Sequence, residues 1–220
     1  MAIIVALMAT LLMSALGAAL VLTTSSEALI AANFRNAQEG VYAADAALAR
    51  AMDDLASMPD WNPILDGSMQ SAFVDGPPSG ARTLADGSSL DLGRTVNMMN
   101  CRKPTPCSAS NLTAITAERP WGANNPVWRM FAYAPLSSLL AAGTIESLSY
   151  VIVMVADDPS ENDNDPLLDG HSTSNPGTGV LVLRAEAFGT RGMHQVIEST
   201  IGRAGAGAAG IRVLSWHLVR

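Results

Sequence analysis

Lysine is almost missing from this 220-residue chain: Lys103 is the only one among 13 basic residues, set against 20 acidic ones for a formal net charge of −7. No basic stripe is left to neutralise a phosphate backbone, so nucleic acid is set aside as a partner. Cysteine is scarce too. Two cysteines exclude a disulfide-dense miniprotein, and with His171, His194 and His217 scattered they make a poor structural zinc site. The GxSxG, HExxH, P-loop and dinucleotide fingerprints are all lacking, and the histidines form no partner pattern. The reading is therefore of a protein that is not an enzyme, with no catalytic residue assigned. What is present is 49% hydrophobic and 15% charged, too apolar for a disordered chain and long enough for one core or two small ones.

Charge of either sign is absent from Met1 to Ser26. Within that stretch Ala2 to Leu22 is continuously apolar, and 21 helical residues span roughly 30 Å, the thickness of a bilayer's hydrocarbon core. Ile3, Ile4, Leu7, Leu11, Leu12, Leu16 and Leu20 supply the bulk, and Gly17, flanked by Ala15, Ala18 and Ala19, would let another helix approach closely. A secretory signal peptide is the rival reading. It asks for a basic start, a shorter apolar region and a small-residue cleavage site, none of which fits well.

The helical pattern continues past the apolar stretch and becomes amphipathic. Glu27, Arg35, Gln38, Glu39, Asp45, Arg50, Asp53 and Asp54 are interleaved with Ile30, Phe34, Val41, Tyr42, Leu48, Met52 and Leu55. Val41, Leu48, Met52 and Leu55 recur at helical spacing on one face that only Asp45 interrupts. Alanine fills much of the remainder, and Pro59, Asp60 and Pro63 close the segment. A single helix of about 57 residues would be roughly 85 Å long.

Beyond Pro59 the texture changes to short apolar or β-branched runs punctuated by Gly, Pro, Asn and Asp, the pattern of a small β-rich head. Strands are expected at Arg94 to Met99, Val127 to Tyr133, Leu148 to Val155, Val180 to Ala187 and His194 to Ile201, with a helical turn or two in Pro135 to Ala142. Phe188 to Met193 carries a two-glycine hairpin signal. The resulting plan is α+β: a transmembrane or filament-core helix over 1–26, its amphipathic continuation over 27–58, a β-rich head over 59–203, a Gly/Ala linker over 204–210 and a last strand over 211–220.

An apolar N-terminal helix, an alanine-rich continuation and a β head ending in a hairpin together resemble the type IV pilin-like proteins, and within them the PilX-type minor pilins. The likeness is carried by Met1 to Leu22 with TTSSEALIAANFRNAQEGVYAADAALARAMDDL, and by VADDPSENDNDPLLDG followed by VLVLRAEAFGTRGMHQVIESTI. Residues 59 to 150 carry no such likeness. The family's basic leader is lacking, so Met1 is expected near the mature N-terminus, and Val5 then stands where most major pilins have Glu. An ammonium buried without that counter-charge is costly, which favours a minor or tip subunit. The resemblance implies a head outside the inner membrane and later on an extracellular filament. Its partners would be other pilin subunits through their N-terminal helices, the membrane before assembly, and a tip adhesin. A minor pseudopilin of a type II secretion system and a single-pass tethered binding domain are the alternatives.

If the head lies in an oxidising compartment, Cys101 and Cys107, which bracket two prolines, are expected to close a disulfide, with free buried cysteines as the other reading. Asp157, Asp158, Glu161, Asp163, Asp165 and Asp169 put six carboxylates in thirteen residues with no basic residue among them. Such an oxygen-rich loop suits Ca²⁺, with Asp157, Asp158, Asp163, Asp165 and Asp169 as the ligand set, although Pro166 breaks any EF-hand spacing; a solvated acidic loop is the alternative. In the last strand Arg212, Leu214, Trp216, Leu218 and Arg220 alternate with Ile211, Val213, Ser215, His217 and Val219. Val213, Leu214, Trp216 and Leu218 make it a docking strand for a free sheet edge, of a neighbouring subunit or of its own head.

Overall fold

The computed structural model describes residues 1–139, 147–170, 177–204 and 210–219. They fall into two compact units, Met1–Glu39 and Gly40–Arg220. A single unbroken helix, α1 (Ala2–Ser57), supplies all of the first unit and the first element of the second.

In the first unit the apolar side chains have no cover: Ile3, Ile4, Leu7, Leu11, Leu12, Leu16 and Leu20 are each 59–76% exposed. The hydroxyls are treated differently. Thr10, Ser14, Thr23, Thr24, Ser25 and Ser26 each donate to a carbonyl one turn back in the same helix, at 2.6–3.0 Å. Every side-chain polar group of the apolar stretch is thus satisfied without water, as a lipid or dry helical environment requires. The helix is long and apolar enough to cross a membrane and fits an N-terminal membrane anchor.

In the second unit the picture inverts. The buried stripe of α1 is Gly40, Ala43, Ala44, Ala47, Leu48, Ala51 and Leu55, at helical spacing. Small residues dominate it. At Gly40 a Cβ would sit 2.2 Å from Met193 Sδ and 2.8 Å from Gln195 Cγ, leaving no room for a side chain. Sequence periodicity put the burial on Val41, Leu48, Met52 and Leu55 and began it near Glu27. Leu48 and Leu55 are indeed buried, but Val41 and Met52 are only partly so, and Ile30, Phe34 and Tyr42 are 66–70% exposed. The stripe that packs is the one rich in alanine, because close approach favours the smallest side chains over the most apolar.

Helix α1 ends at Ser57, where Trp61 Nε1 donates to the Leu55 carbonyl at 3.2 Å and Pro59 cannot extend the ladder. A single turn, α2 (Asn62–Leu65), buries Ile64 and Leu65. Two short strands, β1 (Ala81–Thr83) and β2 (Ser89–Asp91), pair with each other. The next element corrects the sequence reading: Arg94 to Met99, expected as a strand, lies inside the helix α3 (Leu92–Cys101). Asp91 decides this by capping the first turn, its carboxylate accepting from Arg94 N at 2.8 Å, and Arg102 ends it in the left-handed region at φ 58°. A further turn, α4 (Ala109–Leu112), starts at a Ser108–Asn111 capping box.

The main sheet is an antiparallel meander in the order β3 (Arg129–Pro135), β4 (Tyr150–Asp157), β5 (Val180–Phe188), β6 (His194–Arg203) and β7 (Ile211–Val219). All eight residues of β4 are buried, because the sheet is covered on both faces. One face packs Phe131, Val151, Val153, Leu183, Ala185 and Ile197 under Ala44, Ala47, Leu48 and Leu55 of α1. On the other, Tyr133, Ile152 and Met154 lie with Leu92 of α3. The β5–β6 hairpin closes through a 3₁₀ turn at Thr190–Gly192, with Arg191 at φ 59° and Gly192 at φ 71°. Of the turn expected over Pro135 to Ala142, Leu136–Ser138 is a 3₁₀ turn and 140–142 lies outside the described residues. Most of the Gly/Ala linker, His171 and Arg220 lie outside them too.

Candidate functional site

The C-terminal end of β4 and the acidic loop after it build the most concentrated group of ligand-type side chains among the described residues. Asp157, the last residue of β4, is 2% exposed, and Glu161, four residues on, is 1% exposed. Asp169 joins them, and one carboxylate oxygen from each of the three lies within 4.8 Å of the others. Burial, then the Glu161 charge, pushes the Asp157 carboxyl up to about 8. Burial, then the charges of Asp163 and Asp169, pushes Glu161 up to about 7. Two buried acids this close either share a proton, which neutralises one of them, or keep both charges with a cation between them.

The surrounding backbone is shaped to this cluster. Asn62 Oδ1 accepts from Asp169 N at 2.7 Å, and Asp169 Oδ1 accepts from Gly179 N at 2.6 Å, which fixes the carboxylate at the mouth of the loop. Asn124 donates from Nδ2 to the Glu161 carbonyl, and its Oδ1 is buried without a hydrogen-bond partner. Gly170, at φ 37°, has no Cβ where the Glu161 carboxylate lies, so the acid packs directly against the loop backbone. Arg203 Nε stands 3.9 Å from Asp169 Oδ2, with its guanidinium 3.9 Å over the Trp61 ring and donating to the Met58 carbonyl.

Of Asp157, Asp158, Asp163, Asp165 and Asp169, the structure brings together Asp157 and Asp169, with Glu161 as the third member. Asp158 accepts from Ser160 N and Oγ, Asp163 accepts from Asp165 N, and Asp165 accepts from Leu167 N, so all three help to turn the loop, while the Asp163 side chain also hydrogen-bonds Glu161. Asn124 and Gly170 went unnoticed in the sequence, since only the fold sets residue 124 against residue 161.

Cys101 and Cys107 form a disulfide with their Cα atoms 6.0 Å apart, one cysteine closing α3 and the other opening the approach to α4. Beside it a cleft of about 480 Å³ is lined by Met98, Arg102, Lys103, Arg119 and Trp128 among others. Strand β7 pairs along β6 of its own sheet, Leu218 opposite Ile197 and Val213 opposite Ile201. The ladder slips between Thr200 and Ile201, so strict alternation along β7 fails at Leu214: Val213, Trp216 and Leu218 lie opposite Ile201, Ser199 and Ile197, which share one face. Val213, Leu214 and Trp216 remain 45–48% exposed.

A charge ladder crosses β5, β6 and β7. Arg184 pairs with Glu186 at 2.7 Å and Glu198 at 2.5 Å, His194 Nε2 reaches Glu186 at 2.8 Å, and His217 Nε2 reaches Glu198 at 3.4 Å. The β5–β6 register sets Arg184 opposite Glu198 and Phe188 opposite His194.

Neither a family model, nor a curated protein, nor a solved structure matches this chain.

Proposed function

We propose that the chain is a minor pilin-like structural subunit, inserted in a membrane through the start of α1 and recruited from there into a type IV pilus-type filament that it primes, caps or joins. The observation that carries this reading is α1 itself. Over residues 2–22 the helix is apolar, uncharged and hydroxyl-satisfied, yet wholly uncovered. From Gly40 the same helix is the buried element of a five-stranded head. A tether alone needs no such continuity, whereas helix-to-helix assembly uses the uncovered part as a filament core and the buried part to fix the head to it. The work is structural rather than catalytic. The chemistry of the head belongs to its surface and loops, carried extracytoplasmically and then on the filament.

A minor pseudopilin of a secretion filament would use the same helix in the same way. A tethered extracytoplasmic binding domain is the second reading, favoured by the cleft lined by Arg102, Arg119 and Trp128. Mass spectrometry of sheared filaments against the membrane fraction tests the proposal. The chain should appear in the sheared material at low stoichiometry; its confinement to membranes, with filament number unchanged by deletion, would leave the tethered domain.

A further inference from the structure

We propose that Asp157, Glu161 and Asp169 hold a calcium ion at the C-terminal end of β4. The site lies entirely within the head and stands whether or not the chain enters a filament.

Three acidic residues close together are common on protein surfaces, but here two of the three are inside. Asp157 is 2% exposed, its Oδ1 has no hydrogen-bond partner, and its carboxylate lies within 4.8 Å of those of Glu161 and Asp169. A buried carboxylate oxygen left without a donor is a costly arrangement in a dry site and a ready ligand for a metal. Asn124 adds a second buried oxygen with no donor, on the residue that holds the Glu161 carbonyl. Gly170, lacking a side chain, lets the Glu161 carboxylate lie directly against the loop backbone.

The chemistry points to a hard cation. All the donors are oxygens, with neither a thiol nor an imidazole among the described members of the cluster. Ligands at 2.3–2.6 Å from one Ca²⁺ lie up to about 5 Å apart, so a set of oxygens within 4.8 Å of one another can share one ion. Mg²⁺ asks for a tighter octahedron at about 2.0–2.1 Å and keeps most of its waters, which a pocket this buried has less room to satisfy. Charge agrees in sign: a divalent ion would offset the repulsion among Asp157, Glu161 and Asp169, and the cation Arg203 stands 3.9 Å from Asp169. A cleft of about 390 Å³ lined by Asp60, Asn62, Asp169, Gly170 and Arg203 leads from the surface to that edge and gives the ion its route.

The test uses the full chain purified in detergent micelles and stripped with EGTA, titrated with CaCl₂ and in parallel with MgCl₂ by calorimetry and thermal melting. One Ca²⁺ per chain, a melting temperature several degrees higher in millimolar Ca²⁺ than in EGTA, and a smaller response to Mg²⁺ are expected. Glu161→Gln and Asp169→Asn should each weaken Ca²⁺ binding by about tenfold or more, because each removes a charged ligand. In EGTA those variants should melt at or above the wild-type temperature, since they also remove repulsion. Asp158→Asn and Asp165→Asn should leave binding unchanged. Identical melting in Ca²⁺ and EGTA would overturn the proposal, as would Ca²⁺ binding that survives Glu161→Gln and Asp169→Asn. If Asp157→Asn does not fold, the two other ligand variants still decide the matter.

Discussion

Trp216 on the edge strand β7 donates its indole N–H to Asp45 on α1 at 3.1 Å, across 171 residues of sequence. Asp45 is the one residue that interrupts the apolar face expected for the helix, and this bond gives it a partner at the rim of the helix–sheet contact. The strand is thereby fastened to α1 as well as to β6.

Trp216→Phe keeps the ring and removes the donor, so we expect a loss of about 0.5–1 kcal/mol, at the lower end for a hydrogen bond because the pair is exposed. Deleting residues 204–220 should do far more, stripping the cover of Leu218 and Ile211 from the core and leaving β6 as a bare edge. Chemical denaturation of the full chain and both variants in micelles measures the difference. A truncated head that unfolds at the wild-type midpoint would mean that β7 contributes nothing to its own sheet.

Ala47 is completely buried where α1 meets the sheet. Ala47→Leu should destabilise the head by about 1–3 kcal/mol or more, although leucine is a good helix former, because overpacking outweighs propensity in a dense core. At exposed Ala49, one face round, the same substitution should be nearly neutral. Equal denaturation midpoints for the two variants would contradict the alanine stripe as the packing surface.

Removing the Cys101–Cys107 disulfide by a double alanine substitution should cost about 2–3 kcal/mol, the value expected of a short closed loop. Mass spectrometry of alkylated protein should first find no free thiol in the oxidised wild type. An unchanged melting temperature after reduction would show the loop to be held by α3 and α4 alone.

Burial tends to raise the Glu186 carboxyl, but its bonds to His194 and Arg184 outweigh that and hold it below the ordinary 4.5. A depressed folded-state value means that this stabilisation is present above about pH 4.5 and is lost as pH falls through the lower folded value. Glu186→Gln should therefore destabilise the head at pH 7, by about 1–2 kcal/mol because Arg184 keeps its pair with Glu198, and flatten the acid limb of the stability curve. His194 and His217 face the same network, so the comparison is made at pH 7 and again across pH 3–5. A variant whose acid limb matches the wild type would assign that limb to other carboxylates.

Leu12→Arg places a charge in the middle of the uncharged stretch, at a cost of about 2.5–3.5 kcal/mol on insertion scales. Under the filament reading the variant should vanish from sheared filaments. Its presence there at normal levels would remove the helix-core assembly on which the proposed function rests.

The apolar run of Ala2–Leu22, the unbroken helix to Pro59, the late hairpin and the last strand were all legible in the sequence, because each rests on local facts: length, periodicity, proline, paired glycines. The exceptions are informative. Arg94 to Met99 reads as a strand by its valine and methionines, yet the Asp91 cap outside that window made it helix. The helix buries alanines rather than its larger apolar residues, since which stripe faces inward depends on how closely the sheet approaches, and periodicity alone does not record distance. The acidic run announced an oxygen-rich loop, but its own turns engaged Asp158 and Asp165, and left Asp163 shared between a turn and Glu161. Burial at the end of β4 chose Asp157 and Glu161 and set Asn124 beside them. Local chemistry therefore determined the elements of this protein, while the side chains that share a dry pocket were decided only when the sheet formed, because burial and long-range proximity are properties of the packed chain.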